Sequence, residues 1–179
     1  MATGLYGDFE DAIMLLWEGA GNNGKTFLLM LWINVLGEMY GTKLKMQLLS
    51  DDREVANAPN SAFMRLKGRR GAIFEESNKG DPLNPARLKE VVNPGMGTGS
   101  EKYKIEESFK MTATLIAGTN YSFLVPTSDH GTWRRLWYYS SKVKFCTRPD
   151  PDNPYEKLED ARFARRYVND IDCQTAFLS

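Results

Sequence analysis

The hydrophobic pattern begins with a short unbroken apolar run, AIMLLW at 12–17, followed at once by a glycine-rich stretch. A continuous apolar run of this length predicts a strand buried on both faces, as in a parallel sheet. GKTFLLMLWINVLGEMYG (24–41) places Leu, Met and Ile at helical spacing and predicts a long helix that stops near Gly37 or Gly41. LKMQLL (44–49) predicts a second strand, and NAPNSAFMRLKG (57–68) a short helix closed by Gly68. RGAIFEE (70–76) predicts a strand that ends in carboxylates. NPARLKEVVN (84–93) predicts a helix with Asn84 as cap and Pro85 at its first position. A glycine-rich loop or hairpin tip follows at 94–105, then a strand over 110–120 that ends in a polar residue. An aromatic, weakly alternating stretch at 134–145 predicts a further strand. The Pro/Asp-rich run at 148–157 predicts a linker, and 158–178 an amphipathic helix. There is no internal repeat. Strands alternating with helices predict an α/β sandwich with a mainly parallel central sheet flanked by helices. A core over 1–147 is expected, followed at 148–179 by the linker and a helical segment that runs past the end of the chain.

Charge and composition narrow the chemistry. Lys plus Arg equals Asp plus Glu at 23 each, so binding to nucleic acid would rest on local basic patches and not on global charge. Two distant cysteines, Cys146 and Cys173, argue against a disulfide framework or a Cys-based zinc site and fit a reducing compartment. The single histidine, His130, argues against a His-built metal site or a Ser-His-Asp triad. No apolar run reaches the roughly 18 residues of a membrane span, so no membrane role is expected. The acidic start, MATGLYGDFEDA, is unlike a signal peptide, and its shortness leads us to expect a piece of a longer protein.

One motif dominates what remains. GAGNNGKT comprises Gly19, Ala20, Gly21, Asn22, Asn23, Gly24, Lys25 and Thr26, and it matches G-x-x-x-x-G-K-[ST] between a predicted strand and a predicted helix. Its glycines let successive backbone N–H groups curl around phosphate oxygens. The following helix points its positive dipole end at the same charge. Lys25 would reach the outer phosphates, and the Thr26 hydroxyl would take a Mg²⁺ position. Glu75 and Glu76 end a strand at the carboxyl edge of the sheet, where α/β folds bind ligands. One would hold Mg²⁺ and the other orient the attacking water. Taken alone, such a strand end is more often solvated surface; a phosphate loop beside it reverses that reading. Asn120 ends the strand LIAGTN and could position water, although Asn also ends many strands simply as a turn former. Arg134 and Arg135 in GTWRR are candidates for an arginine finger, with solvated or salt-bridged surface arginine as the equal alternative. Lys102, Tyr103 and Lys104 suit a nucleic-acid strand, the amines facing phosphate and the ring a base or sugar; an exposed, solubilising hairpin is the plainer reading of that stretch by itself.

In this order the elements resemble the superfamily 3 helicases. They look most like the helicase part of the primase-helicases of large DNA viruses (poxvirus, asfarvirus and giant-virus type) and of some phages and plasmids. The resemblance covers roughly residues 12 to 145 and rests on ANAPN, RLKG, LKE and GTWRR as well as the phosphate loop. It implies that Glu76 stands where relatives keep their acid, that 101–110 is the pore hairpin segment, and that Asn120 is the polar residue of the third motif. It also implies that Arg134 and Arg135 form the finger pair, with Arg135 preferred. The fold implied is a P-loop NTPase with an AAA+-type core, assembled as a homo-oligomeric ring that is usually a hexamer. ATP and Mg²⁺ would sit between subunits, with the finger donated in trans. The implied activity is 3′-to-5′ unwinding of forked or single-stranded DNA at sites of viral replication in the host cell, with primase or collar domains elsewhere in the parent chain. The residues alone leave open another P-loop NTPase, such as a packaging motor or a loader, and a nucleotide-binding module without turnover.

Overall fold

The computed structural model describes residues 12–50, 60–75, 80, 82–100, 102–103, 105–160, 162 and 166–178. Five strands build one sheet: β1 (Met14–Glu18), β2 (Gly41–Lys45), β3 (Gly71–Glu75), β6 (Thr114–Thr119) and β7 (Leu136–Ser140). Their order is β2-β3-β6-β1-β7, and every pairing is parallel. All five carboxyl ends therefore lie along one edge. β1 sits between β6 and β7, and β6 separates β1 from β3.

Side-chain alternation distributes these strands between two cores. Trp17, Ile73 and Ile116 face helix α1 (Lys25–Tyr40), which covers them with Leu29, Trp32, Ile33 and Leu36. Met14, Leu16, Phe74, Leu115 and Ala117 face the other way. There they meet Leu48 and Leu49 of α2 (Gln47–Ser50), Phe63 of α3 (Ser61–Met64), and Leu88 and Val91 of α4 (Pro85–Val91). Both faces of the sheet are thus apolar at β1, β3 and β6, which is why those strands read as unbroken apolar runs. Asn84 caps α4 as expected, accepting from the Ala86 and Arg87 amides with Pro85 at the first helical position.

Several expected elements differ. The second strand is β2 at Gly41–Lys45, directly after α1, and Gln47–Ser50 turns as a helix. An apolar run as short as LKMQLL does not distinguish strand from helix, and here Leu48 and Leu49 reach the core through a helical turn. The strand expected over 110–120 is two: β5 (Glu107–Lys110), which forms an antiparallel hairpin with β4 (Met96–Gly99), and β6 in the main sheet. The aromatic stretch 134–145 divides into β7 and β8 (Lys144–Cys146), preceded by a short helix α5 (His130–Trp133). The Pro/Asp-rich stretch ends in β9 (Glu156–Leu158), which pairs with β8. Where 158–178 predicts one helix, helix α6 spans Ile171–Leu178. Of the helix expected over 57–68, residues 57–59 lie outside the described residues. Gly37 adopts φ 66 inside α1 and kinks its last turn, and Gly41 closes it with its N–H on the Gly37 carbonyl. No helix among the described residues is long and apolar enough to cross a membrane.

Candidate nucleotide site

The loop between β1 and α1 is held in its curl by left-handed backbone at Gly21 (φ 91), Asn22 (φ 48) and Gly24 (φ 77). Glycine takes this conformation freely, and Asn tolerates it better than most residues. Gly19 ties the loop to the neighbouring strand, its N–H donating to the Thr119 carbonyl at 3.1 Å, and the Gly21 N–H donates to the Gly19 carbonyl at 2.8 Å. Gly24 is the N-cap of α1 and offers no side-chain cap. The first-turn amides of α1 therefore depend on other acceptors. One is supplied from within: Asn23 Oδ1 accepts from the Lys25 amide at 3.2 Å, where an anion's oxygen would otherwise lie. The same side chain folds over Gly19, which has no room for a Cβ, and its Nδ2 is buried without a partner. Ala20 is exposed at the loop's outer bend.

Lys25 is buried, at 5 % exposure, although it carries a charge. Its Nζ donates to the Gly19 carbonyl at 3.2 Å and to Asn120 Oδ1 at 2.9 Å. Burial pulls its pKa below the usual lysine value, and the Glu18 carboxylate at the end of β1 partly offsets that. Glu18 is itself fixed by the Tyr138 hydroxyl, which donates to it at 2.6 Å across the β1–β7 pair, and this bond raises the tyrosine pKa. Lys25, Thr26, Glu75, Gly118, Thr119 and Asn120 surround a polar cavity of about 170 Å³ at the carboxyl edge of the sheet. A Cβ on Gly118 would come within 2.7 Å of Leu29 Cδ1 and 3.6 Å of Lys25 Cδ, so glycine there leaves the lysine stem its path to the cavity.

The sequence-predicted residues thus fall into four groups. Lys25, Thr26, Glu75 and Asn120 are brought together, whereas Glu76 and Lys104 lie outside the described residues. Arg134 and Arg135 stand at the opposite edge of the sheet. Arg135 precedes β7, and its carbonyl accepts from the Met14 amide at 2.8 Å. Six strand positions separate it from the level of Gly19, or roughly 20 Å at about 3.3 Å per residue. That exceeds the reach of an arginine side chain. Arg135 Nη1 donates to the Gly131 carbonyl at 2.6 Å, while Arg134 is exposed. Lys102 and Tyr103 lie at the tip of the β4–β5 hairpin, with Tyr103 93 % exposed and the Lys102 ammonium 5.1 Å from its ring centre. The hairpin base is anchored in the core by Phe109 and by Gly97 against Phe63.

Sequence reasoning missed Glu18, although an acid directly before the loop was visible. It also missed Asp129, which caps α5 through the Gly131 and Thr132 amides and pairs with Lys89 of α4 at 2.5 Å. Aspartate ahead of HGTW is an ordinary cap signal, hidden because the stretch reads as loop.

The donor set fits a triphosphate with a divalent cation. A helix start without a side-chain N-cap, a buried ammonium held by exchangeable neutral acceptors and the orphaned Asn23 Nδ2 can all donate to phosphate oxygens. Among the described residues no group of three or more His, Cys, Asp or Glu could cage a metal alone. A magnesium ion would be held by the Thr26 hydroxyl and a Glu75 carboxylate, with phosphate oxygens and water completing its shell.

Comparison with known proteins gives a consistent answer. No family model matches the chain. Over its whole length it is 56 % identical to the African swine fever virus protein named "Putative primase C962R", of which it covers 19 %. It is 28 % identical over 154 residues to "Putative helicase 022R" of Frog virus 3, covering 82 % of this chain and 15 % of that one. It is 27 % identical over 157 residues to "Putative helicase L207/L206" of Acanthamoeba polyphaga mimivirus, covering 88 % of this chain and 16 % of that one. The chain therefore spans about a fifth or less of the curated relatives it matches. Among solved structures, the apo C-terminal region of NrS-1 aligns with a TM-score of 0.56 at 17 % identity, covering 78 % of this chain and 33 % of that one, and so shares the fold. Alongside its phosphate-type loop and parallel sheet, the chain thus has as homologues proteins of large DNA viruses that are named as primases and helicases.

Proposed function

We propose that this chain is the ATP-hydrolysing motor of a replicative helicase of superfamily 3, with an AAA+-type core that works in a ring on single-stranded or forked DNA. The observation that carries the reading is the convergence of Lys25, Thr26, Glu75 and Asn120 on one small polar cavity beside the glycine loop. Each residue has a task there. The loop amides and the Lys25 ammonium bind the phosphates and take up negative charge as it grows on the leaving oxygen. To do so, Lys25 exchanges Asn120 and the Gly19 carbonyl for phosphate oxygens. Asn120, released from the lysine, is placed to orient water. Glu75, or the adjacent Glu76, holds the proton that water gives up. Magnesium, when bound, supplies charge neutralisation for the phosphates.

The arginine pair fits this scheme as the contribution of a neighbouring copy, because its own loop is out of reach. Exposure favours Arg134 as the group presented outward; Arg135 would first have to leave the Gly131 carbonyl. The hairpin tip, with Lys102 and Tyr103 and with Lys104 next in the sequence, would grip the DNA strand and shift as subunits fire in turn. The relatives' length accommodates primase or collar domains in the parent protein.

In the full-length protein, single-stranded DNA should stimulate ATP hydrolysis, and Lys25→Ala should lower turnover by at least about a hundredfold, the usual loss on removing one transition-state donor. Turnover in Lys25→Ala equal to wild type would sink the assignment.

A further inference from the structure

A second, larger cavity lies on the other side of the same helix start. It measures about 580 Å³, within the roughly 300–1,000 Å³ of small-molecule sites. Its floor is the loop itself, Asn22 to Gly24, and its walls are Phe27, Leu28, Phe145 and Leu158, with Glu159 and Asp160 at the rim. Thr26 faces the polar cavity and its neighbour Phe27 faces the apolar one. One helix turn therefore stands between an anion-binding hollow and an aromatic hollow. The segment carrying Phe145 is attached to the loop: the Phe145 amide donates to the Asn22 carbonyl at 2.6 Å, and a Cβ on Gly24 would lie 3.6 Å from the Phe145 ring. The pairing of β8 with β9 sets Leu158 beside Cys146, next to that ring, and the Glu159 amide closes the pair on the Cys146 carbonyl at 3.0 Å.

We infer that this apolar cavity is the nucleobase subsite, in which the Phe145 ring packs on the base of a nucleoside triphosphate while Leu158 closes the far side. The inference rests on the reading of the loop as a phosphate cradle and assigns the other end of the same ligand. A flat, weakly polar head joined to a polyanionic chain matches both cavities at once. A bare polyphosphate would leave the larger one unused. The β8–β9 segment, which the sequence presents as a linker, thereby contributes affinity for the nucleotide.

The test is calorimetric titration of the 179-residue chain with Mg·ATP and, separately, with Mg·tripolyphosphate, for wild type, Phe145→Ala and Leu158→Glu. Neither substitution is in the core: Phe145 is 36 % and Leu158 68 % exposed. By the usual strength of base–aromatic stacking, Phe145→Ala should weaken ATP about tenfold or more and leave tripolyphosphate affinity within about twofold. Leu158→Glu should act in the same sense. ATP affinity unchanged in both variants, or ATP and tripolyphosphate weakened equally, overturns the base subsite. Failure of wild type to bind either ligand overturns the phosphate reading beneath it, and the two failures are thus distinguishable.

Discussion

The contact between Lys25 and Asn120 gives the sharpest handle on the site, because two substitutions at one position should move nucleotide binding in opposite directions. In the structure the ammonium has two acceptors, Asn120 Oδ1 at 2.9 Å and the Gly19 carbonyl at 3.2 Å, and is otherwise buried. Asn120→Ala removes the shorter bond. Hydrogen bonds to charged groups contribute about 1.5–3 kcal/mol, and because Asn120 is exposed, water replaces part of that, so a loss of about 1 kcal/mol in unfolding free energy is expected. Asn120→Asp puts a full negative charge in the same place. Two unit charges 4 Å apart attract by about 1 kcal/mol in water and about 4 at an effective dielectric of 20, so after desolvation a net gain of about 1–2 kcal/mol is expected. That gain is also a tether, since the lysine must leave position 120 to reach a phosphate. About 1.4 kcal/mol corresponds to tenfold in affinity, so Asn120→Asp should bind Mg·ATP at least about tenfold more weakly. Asn120→Ala should bind as tightly as wild type or tighter while losing turnover. Urea unfolding without nucleotide and calorimetric binding read the two effects separately. The alkaline limb of stability adds a check. The folded-state pKa of Lys25 lies below its unfolded value near 10.4, so the unfolded chain binds more protons between the two and stability rises with pH across that window. Asn120→Asp should flatten this rise by raising the folded pKa. Equal ATP affinity in all three proteins would refute the reasoning.

Two further outcomes test the scaffold. Gly71 lies under α1, and a Cβ there would come within 2.8 Å of the Trp32 ring and would strike Leu36, both in the core. Gly71→Ala should therefore cost about 1–3 kcal/mol by overpacking, seen as a lower urea midpoint with an unchanged slope; a midpoint within error of wild type would contradict the packing. The pKa of Asp129 is held well below the ordinary carboxylate range by Lys89, the Thr132 hydroxyl and the Gly131 amide. The stability it gives is present above its unfolded pKa near 4 and is lost as pH falls toward the depressed folded value. Asn keeps the cap but not the charge, so Asp129→Asn should remove that acid-limb dependence while leaving helix content by circular dichroism unchanged; identical acid limbs would contradict it.

The legible parts of the sequence were those in which local chemistry and burial agree. GAGNNGKT demanded glycine curvature between a strand and a helix, and Gly21, Asn22 and Gly24 adopt it. β3 and β6 are buried on both faces and therefore read as parallel strands, the polar residues that follow in the sequence marking the carboxyl edge. What was misread depends on partners far along the chain. Leu48 and Leu49 are apolar in either a strand or a helical turn, and packing in the second core decides. Strand β9 exists because Glu156–Leu158 meets β8 across the Pro/Asp-rich stretch, and no local pattern announces that pairing. Tyr138 fixes Glu18 from 120 residues away, a relation that a single sequence does not display.

The direction of the sheet gives the arginine pair its meaning. In an all-parallel sheet every strand begins on one edge and ends on the other, so residues before β7 and the loop after β1 are separated by the strand length, however close β1 and β7 lie side by side. No rotamer of Arg134 or Arg135 closes about 20 Å, and no hinge within a hydrogen-bonded sheet does so without breaking the β1–β7 register. On the proposed reading, the amino edge of one copy must therefore meet the carboxyl edge of the next. Repeated head to tail, such a contact is heterologous and closes as a ring or runs on as a filament. A two-fold dimer could meet the same need only in an antiparallel, side-by-side contact that sets each arginine turn on the partner's loop. Turnover rising with more than the first power of protein concentration is the kinetic sign of a site completed by a neighbouring copy. Turnover per subunit independent of dilution, in a protein that remains monomeric by mass, would rule it out.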